Sequence, residues 1–219
     1  MKTIVEKHFD EVADTYDTGK KRYSYYYSSL KKLLSNLIGK NKKVFEFGCG
    51  TGDLLVSLNP KLGFGMDISK KMIETAKKKH SSKKNVVFST SMPKGKFDYI
   101  FLSDVVEHLS DHKNTFKDLK RVMNGDAKII VTMANPIWEP LLMLWETLGL
   151  KMKEGKHKRV GYRELKHILE NLHLRVVKHD YKLLIPIEVP FITNFANKYL
   201  ERSLKKLCFI EYFVVEREH

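Results

Sequence analysis

Cysteine is scarce in this 219-residue chain: Cys49 and Cys208 stand far apart and form no CxxC spacing. That excludes a disulfide-stapled scaffold and a CxxC metal or redox motif, and in a reducing compartment both should be thiols. Long apolar runs are lacking too. The longest candidate, 137–150, is broken by Glu139, Pro140 and Glu146, short of the roughly 18 to 20 apolar residues that cross a bilayer. Glu6, His8 and Asp10 arrive too early for the apolar centre of a secretory leader, so a cytoplasmic protein is expected. Glutamine does not occur at all, a bias with no functional reading.

The apolar share of 42% and the charged share of 30% exclude wholesale disorder and a fibrous protein. The length suits one domain, 1–219, at roughly 100 to 200 residues per domain. Forty Lys and Arg against 26 Asp and Glu leave a net charge of +14, which would concentrate nucleic acid, an acidic membrane surface or an anionic substrate. Lys70, Lys71, Lys77, Lys78, Lys79, Lys83 and Lys84 fall on one predicted helix and its exit loop, where a solvated face is the plainer reading.

Val5, Phe9, Val12 and Tyr16 recur at helical spacing, and Tyr26, Leu30, Leu33, Leu34, Leu37 and Ile38 repeat the pattern up to Gly39. Two amphipathic helices should therefore precede the first strand, 43–47. A glycine turn and a helix from Asp53 follow; then come strands 62–66, 86–89, 97–102 and 127–133, with helices 70–79 and 111–123, the latter ending near Asn124-Gly125. Beyond Pro136 the pattern gives helix 140–150, a charged loop 151–158, helix 162–171, strand 175–184, a proline-punctuated segment unsuited to a central strand, helix 194–207 and strand 209–215. Strands alternating with helices imply a parallel sheet covered on both faces, with a ligand crevice at the carboxyl ends of its strands.

The turn after the first strand reads Gly48-Cys-Gly-Thr-Gly-Asp53. Glycine lets a ligand approach the backbone, and the free amides of a helix start point at it. A dinucleotide fingerprint needs glycine at its first, third and sixth positions. The sixth is Asp53 counted from Gly48 and Leu55 counted from Gly50, so NAD is disfavoured. Glu46-x-Gly48-x-Gly50-x-Gly52 remains, with Asp67 closing the second strand. A carboxylate there accepts hydrogen bonds from both hydroxyls of a ribose.

Four segments occur in order: 44–53 (Val-Phe-Glu-Phe-Gly-Cys-Gly-Thr-Gly-Asp), 65–69 (Gly-Met-Asp-Ile-Ser), 97–109 (Phe-Asp-Tyr-Ile-Phe-Leu-Ser-Asp-Val-Val-Glu-His-Leu) and 129–136. In these the chain resembles class I S-adenosylmethionine-dependent methyltransferases, in particular the ubiquinone and menaquinone biosynthesis group. The resemblance implies an α/β fold: a Rossmann-like, doubly wound, seven-stranded, mostly parallel sheet with helices on both faces and a helical cap insertion after strand five. It divides the chain into N-terminal helices (1–40), a cofactor-binding core (41–136), the cap (137–172) and C-terminal strands and helix (173–219). It also implies that Gly48, Cys49, Gly50 and Gly52 lie against the methionine part of S-adenosylmethionine and that Glu46 engages its ammonium. Asp67 would hold the ribose, and Met66 and Ile68 would flank the adenine. Ser91-Met92 stands where relatives often have Asp-Ala, Ser103 ends the fourth strand beside the cofactor, and Tyr16 would close over it.

Methyl transfer from a sulfonium is an in-line displacement that needs a base only when the acceptor holds its proton. Asp104, Glu107 and His108 would share one face if their segment is helical. They resemble the Glu-x-x-Glu-His element of metal-using ubiquinone-pathway and small-RNA 2′-O-methyltransferases, so a catalytic His108, a metal site and a structural histidine stay open. Tyr23, Tyr25, Tyr26 and Tyr27 form a lid or a packing face, packing being the favoured reading. His157 and Tyr162 fall in the cap. The expected activity is methylation of O or N on a small molecule; 183–192 beside basic residues would suit an anionic, lipid-bearing acceptor. An RNA methyltransferase and a non-catalytic cofactor-binding protein are the alternatives.

Overall fold

The computed structural model describes residues 3–147 and 161–218. Three helices, rather than two, precede the sheet: α1 (Ile4–Val12), α2 (Tyr16–Arg22) and α3 (Ser24–Leu37). Tyr16, which the apolar spacing places on the first helix, instead opens the second after a turn at 13–15. Thr3 caps α1 by accepting from the Glu6 amide. α3 buries Tyr26, Leu30, Leu33 and Leu34, three or four residues apart, so one stripe faces the sheet.

In chain order, β1 (Lys43–Phe47), α4 (Asp53–Ser57), β2 (Leu62–Met66), α5 (Lys70–Lys79), β3 (Val86–Ser89), β4 (Phe97–Ser103), α6 (His112–Arg121) and β5 (Met123–Ala134) follow. Then come α7 (Glu139–Thr147), α8 (Tyr162–Glu170), β6 (Leu174–Lys182), α9 (Ile192–Phe195) and β7 (Ile210–Arg217). The strand order is β3-β2-β1-β4-β5-β7-β6. β1 to β5 pair in parallel, and β7 runs antiparallel between β5 and β6. This is the Rossmann-like, mostly parallel seven-stranded sheet that the family resemblance implies, and its parallel part is what the alternation predicts.

Alternate side chains of the strands feed two cores. Phe45, Ile100, Leu102, Ile129 and Val131 pack with Phe116 and Leu119 of α6 and Leu165 and Leu169 of α8. Val44, Phe101, Ile130 and Tyr212 pack on the other face with Leu30 and Leu34 of α3, Leu55 of α4 and Ile73 of α5. α5 buries Met72, Ile73 and Ala76 and leaves Lys70, Lys71, Lys77 and Lys78 exposed, the solvated face expected of its lysine run.

Element boundaries depart most from the sequence reading in two places. The sixth helix stops at Arg121, and β5 already begins at Met123, because Met123 is buried and pairs with Phe97; Asn124-Gly125 sits where the register shifts between Phe97 and Tyr99. The expected helix 194–207 breaks up: α9 passes into a π-helix (Ala196–Leu200), closed by the Glu201 amide donating to the Ala196 carbonyl, and then into turns. Asn197 causes part of this, since its side chain both accepts from the Ile185 amide and donates to the Ile185 carbonyl. Residues 151–158, including His157, lie outside the described residues.

Candidate active site

The strand order reverses between β1 and β4, and ligands of doubly wound sheets bind at such a switch point. A cavity of about 470 Å³ opens there, within the usual range for a small-molecule site. Its floor is the turn after β1. Gly48, Gly50 and Gly52 all have positive φ (76°, 50° and 83°), which glycine adopts at little steric cost. The Gly48 and Cys49 amides both donate to the Met66 carbonyl, at 2.7 and 2.8 Å, tying the turn to the end of β2. A Cβ on Gly48 would meet Val105 at 2.4 Å, and one on Gly50 would meet the Tyr16 ring at 3.2 Å. Both positions require the absence of a side chain.

Two buried carboxylates face this floor. Asp67 accepts the Gly50 amide on Oδ2 (2.8 Å) and the Ser69 amide on Oδ1 (2.9 Å). Each carboxylate oxygen accepts about twice, so one position per oxygen is left for a vicinal diol. Burial holds Asp67 above the usual carboxylate range, against the pull of those two amides. Glu46 Oε2 accepts the Leu55 amide at 3.1 Å. Burial pushes the Glu46 carboxyl up to about 8, although Lys20 and the Leu55 amide oppose it. A carboxyl in that condition favours any cation that enters beside it. A diol acceptor and an ammonium acceptor on either side of a glycine floor fit an adenosyl amino acid.

The N-terminal helices form the opposite wall. Tyr16 and Lys20, one turn apart on α2, both line the cavity, and the Lys20 ammonium lies 4.6 Å from the Tyr16 ring centre and 4.9 Å from that of Tyr27. Burial lowers the Lys20 pKa, while Glu46, Asp53 and Asp17 raise it. Polar ties hold this wall in place. Asp17 accepts from the Thr51 hydroxyl (2.6 Å) and pairs with Lys79 (2.5 Å), and Asp10 accepts from the Ser69 hydroxyl (2.6 Å).

Beyond β4 the wall carries Ser103, Asp104, Glu107 and His108. Ser103 accepts from the Thr132 hydroxyl at 3.0 Å. The helical face that a three-residue chelate would need does not form. Asp104 sits at φ 53°, which Asp tolerates better than most residues, and only the 3-10 turn Val106–His108 follows. Among the described residues, no group of three His, Cys, Asp or Glu side chains could hold a metal. Tyr26 donates to Asp104 Oδ2 at 2.7 Å, and His108 lies edge-on to Phe9, with ring centres 5.6 Å apart. Leu142, Trp145, Ile187 and Phe209 make the far end of the cavity apolar.

Of the residues expected from the sequence, Tyr16, Glu46, Gly48, Cys49, Gly50, Asp67, Ile68, Ser103 and His108 share this cavity. Gly52, Ser91 and Met92 are not among its lining residues. Gly52 instead begins α4 where a Cβ would strike the Phe88 ring at 2.5 Å, the Ser91 amide turns back to the Ser89 hydroxyl, and Met92 packs on the α6-side core. Of the four clustered tyrosines, Tyr23, Tyr26 and Tyr27 line the cavity, and Tyr26 is also part of the α3-side core. Lys20 escaped the sequence reading; its place four residues after Tyr16 was the available signal. Asn135, at the end of the segment 129–136, braces the fold, donating to the Lys206 and Cys208 carbonyls.

Residues 20–179 match the family model described as a methyltransferase domain. A malonyl-[acyl-carrier protein] O-methyltransferase of Legionella pneumophila is 32% identical over 142 residues, covering 60% of this chain and 50% of that protein. The chain thus spans half the length of that relative. A malonyl-[acyl-carrier protein] O-methyltransferase of Ilyobacter polytropus is 27% identical over 210 residues, covering 90% of the chain and 73% of the relative. In fold, a Thermotoga maritima methyltransferase described as a possible histamine N-methyltransferase superposes with a TM-score of 0.74 at 18% identity, covering 98% of this chain and 100% of that one. With the glycine floor at the switch point of the sheet and the family match running over most of its length, the chain belongs to the class I S-adenosylmethionine-dependent methyltransferases.

Proposed function

We propose that the chain methylates an oxygen or nitrogen of a small, largely apolar acceptor. The observation that carries this reading is the continuity of one cavity from Glu46 and Asp67 to His108 and the apolar end at Leu142, Trp145, Ile187 and Phe209. S-adenosylmethionine supplies an electrophilic methyl on a sulfonium. Asp67 holds its ribose diol, Glu46 its ammonium, and Tyr16 covers it from α2. Lys20, between Tyr16 and Tyr27, faces its carboxylate. The apolar end positions the acceptor and excludes water, which is where most of the acceleration of an in-line displacement can arise.

His108 takes the acceptor's proton. Asp104, which accepts from the Tyr26 hydroxyl and lines the same wall, orients that side of the cavity. The test is turnover with methyl-labelled S-adenosylmethionine against phenols, quinols, amines and a malonyl thioester, the last because the Legionella and Ilyobacter relatives are named for that acceptor. A phenol or quinol should be labelled, and His108→Asn should lower kcat by roughly 100-fold or more while leaving S-adenosylhomocysteine affinity unchanged. Exclusive labelling of the thioester carboxylate, or of RNA, would refute the acceptor class.

A further inference from the structure

Eleven of the sixteen exposed large apolar side chains among the described residues fall within 137–144 and 187–207. Phe191 is 91% exposed and Phe195 57%. Phe191 also holds φ 63°, a backbone state that bulky residues avoid. A residue in that backbone state whose ring the described residues leave to solvent is unfavourable on both counts, which marks this surface as one for a partner to cover.

The two segments that carry these exposed side chains also supply lining residues of the cavity, and we refer to them together as its rim. Leu142 and Trp145 of α7 point into the cavity, while Met143 on the same helix is 58% exposed. Pro186 and Ile187 line the cavity, and the Ile187 carbonyl accepts from the Thr193 hydroxyl, tying it to α9, which carries Ile192 and Phe195. The two parts of the rim are joined, since the Trp138 indole, just ahead of α7, donates to the Leu207 carbonyl at 2.9 Å. Basic charge accompanies the apolar face. Within 185–207, Glu201 pairs with Lys182 and Lys205 with Asp180. The other charges of the segment are Lys198, Arg202 and Lys206 against Glu188, a net +2, on a chain of net +14.

We propose that this rim, carried by α7 and the segment 187–207, seats the protein on an anionic lipid bilayer, so that the acceptor end of the cavity opens toward the acyl-chain boundary. Aromatic and aliphatic side chains that enter the interface, flanked by Lys and Arg that meet anionic headgroups, are the features of a surface-associated protein. No helix of the described residues is long and apolar enough to cross a membrane, so the association is peripheral. An acidic protein partner would complement the charge but would leave the protruding rings without a matching apolar depth. The inference goes beyond the proposed reaction, and it is tested without turnover, so failure of the acceptor reading leaves it standing.

The test is flotation of the full chain with vesicles of phosphatidylcholine alone and of phosphatidylcholine with 30% phosphatidylglycerol. Binding is expected on the anionic vesicles only, weakening as salt is raised. Phe191→Ser/Phe195→Ser should lower the partition coefficient by roughly tenfold or more. Lys198→Glu/Arg202→Glu should lower it by at least about 25-fold, since each basic charge near such a surface contributes about fivefold. Both side-chain pairs are exposed, so S-adenosylhomocysteine affinity and Tm should match the parent chain, showing that the fold is intact. Equal flotation of all variants, no binding to anionic vesicles, or a concentration-dependent dimer that Phe191→Ser/Phe195→Ser abolishes would overturn the proposal, the last by assigning the rim to a second copy.

Discussion

Replacing Glu46 with Gln should strengthen the fold and weaken the cofactor, and both effects can be worked from its surroundings. Its carboxyl titrates near 8 in the folded chain against 4.5 ordinarily, because it is buried. Between those values the folded chain binds more protons than the unfolded chain, so stability falls as pH rises from about 4.5 to about 8. At pH 7 the accumulated cost is on the order of 3 kcal/mol, from about 1.4 kcal/mol per pH unit. Glutamine can keep the acceptor for the Leu55 amide and has no proton to lose. Glu46→Gln should therefore raise Tm at pH 7 by roughly 6 to 12 °C, at the 2 to 4 °C per kcal/mol usual for this size, and by little at pH 4.5. On the proposed binding mode the same change removes a charge-assisted bond to the ligand ammonium, worth about 1.5 to 3 kcal/mol, and should weaken S-adenosylhomocysteine by about 10- to 100-fold. Titration calorimetry at pH 7 adds a third reading. The parent chain should release nearly one proton on binding, visible as a dependence of the heat on the buffer's ionisation enthalpy, and the variant none. A Tm gain equal at both pH values, with no buffer dependence in the parent, would refute the reasoning.

Asp67→Asn should weaken S-adenosylhomocysteine about tenfold or more, and a 2′-deoxyribose analogue should distinguish the parent from the variant far less, by calorimetry, because the lost bond is the same one. Gly48→Ala combines a left-handed backbone cost of about 1 to 2 kcal/mol with the collision at Val105; Tm should fall by about 4 °C or more, and adding Val105→Ala should recover only part of that loss. Asp17→Ala cuts the ties to Thr51 and Lys79, which are partly exposed, and should speed cofactor dissociation in stopped flow by roughly fivefold, with an unchanged Tm.

Much of the sheet was legible because strands such as 43–47 and 86–89 are written in β-branched and aromatic runs closed by turn residues; their predicted bounds, and those of the glycine-containing 62–66, match those observed. The glycine floor was legible for a related reason, since three positive φ angles within five residues leave few other residues possible. Where side chains override local pattern, the reading failed. Asn197 draws the last helix onto Ile185, and the pairing of Met123 with Phe97 extends β5 through an apparent helix end. Lys20 looked like one more surface lysine, because nothing local says that α2 folds back across the carboxyl ends of the strands. Ser91 and Met92 matched a family position by count, but the chain after β3 turns back on Ser89.

α2 buries no side chain fully, and α1 only that of Asp10. Both helices are held by hydrogen bonds, an ion pair and ring contacts such as Phe9 on His108 and Lys20 on Tyr27, while the two large cores belong to the sheet and the helices that follow. Departure of these first two helices forfeits little of the free energy that keeps the strands in register. On the proposed binding mode, spent cofactor would leave by local opening of these helices, at a rate governed by the strength of a few polar ties and with no need to disturb the rest of the molecule.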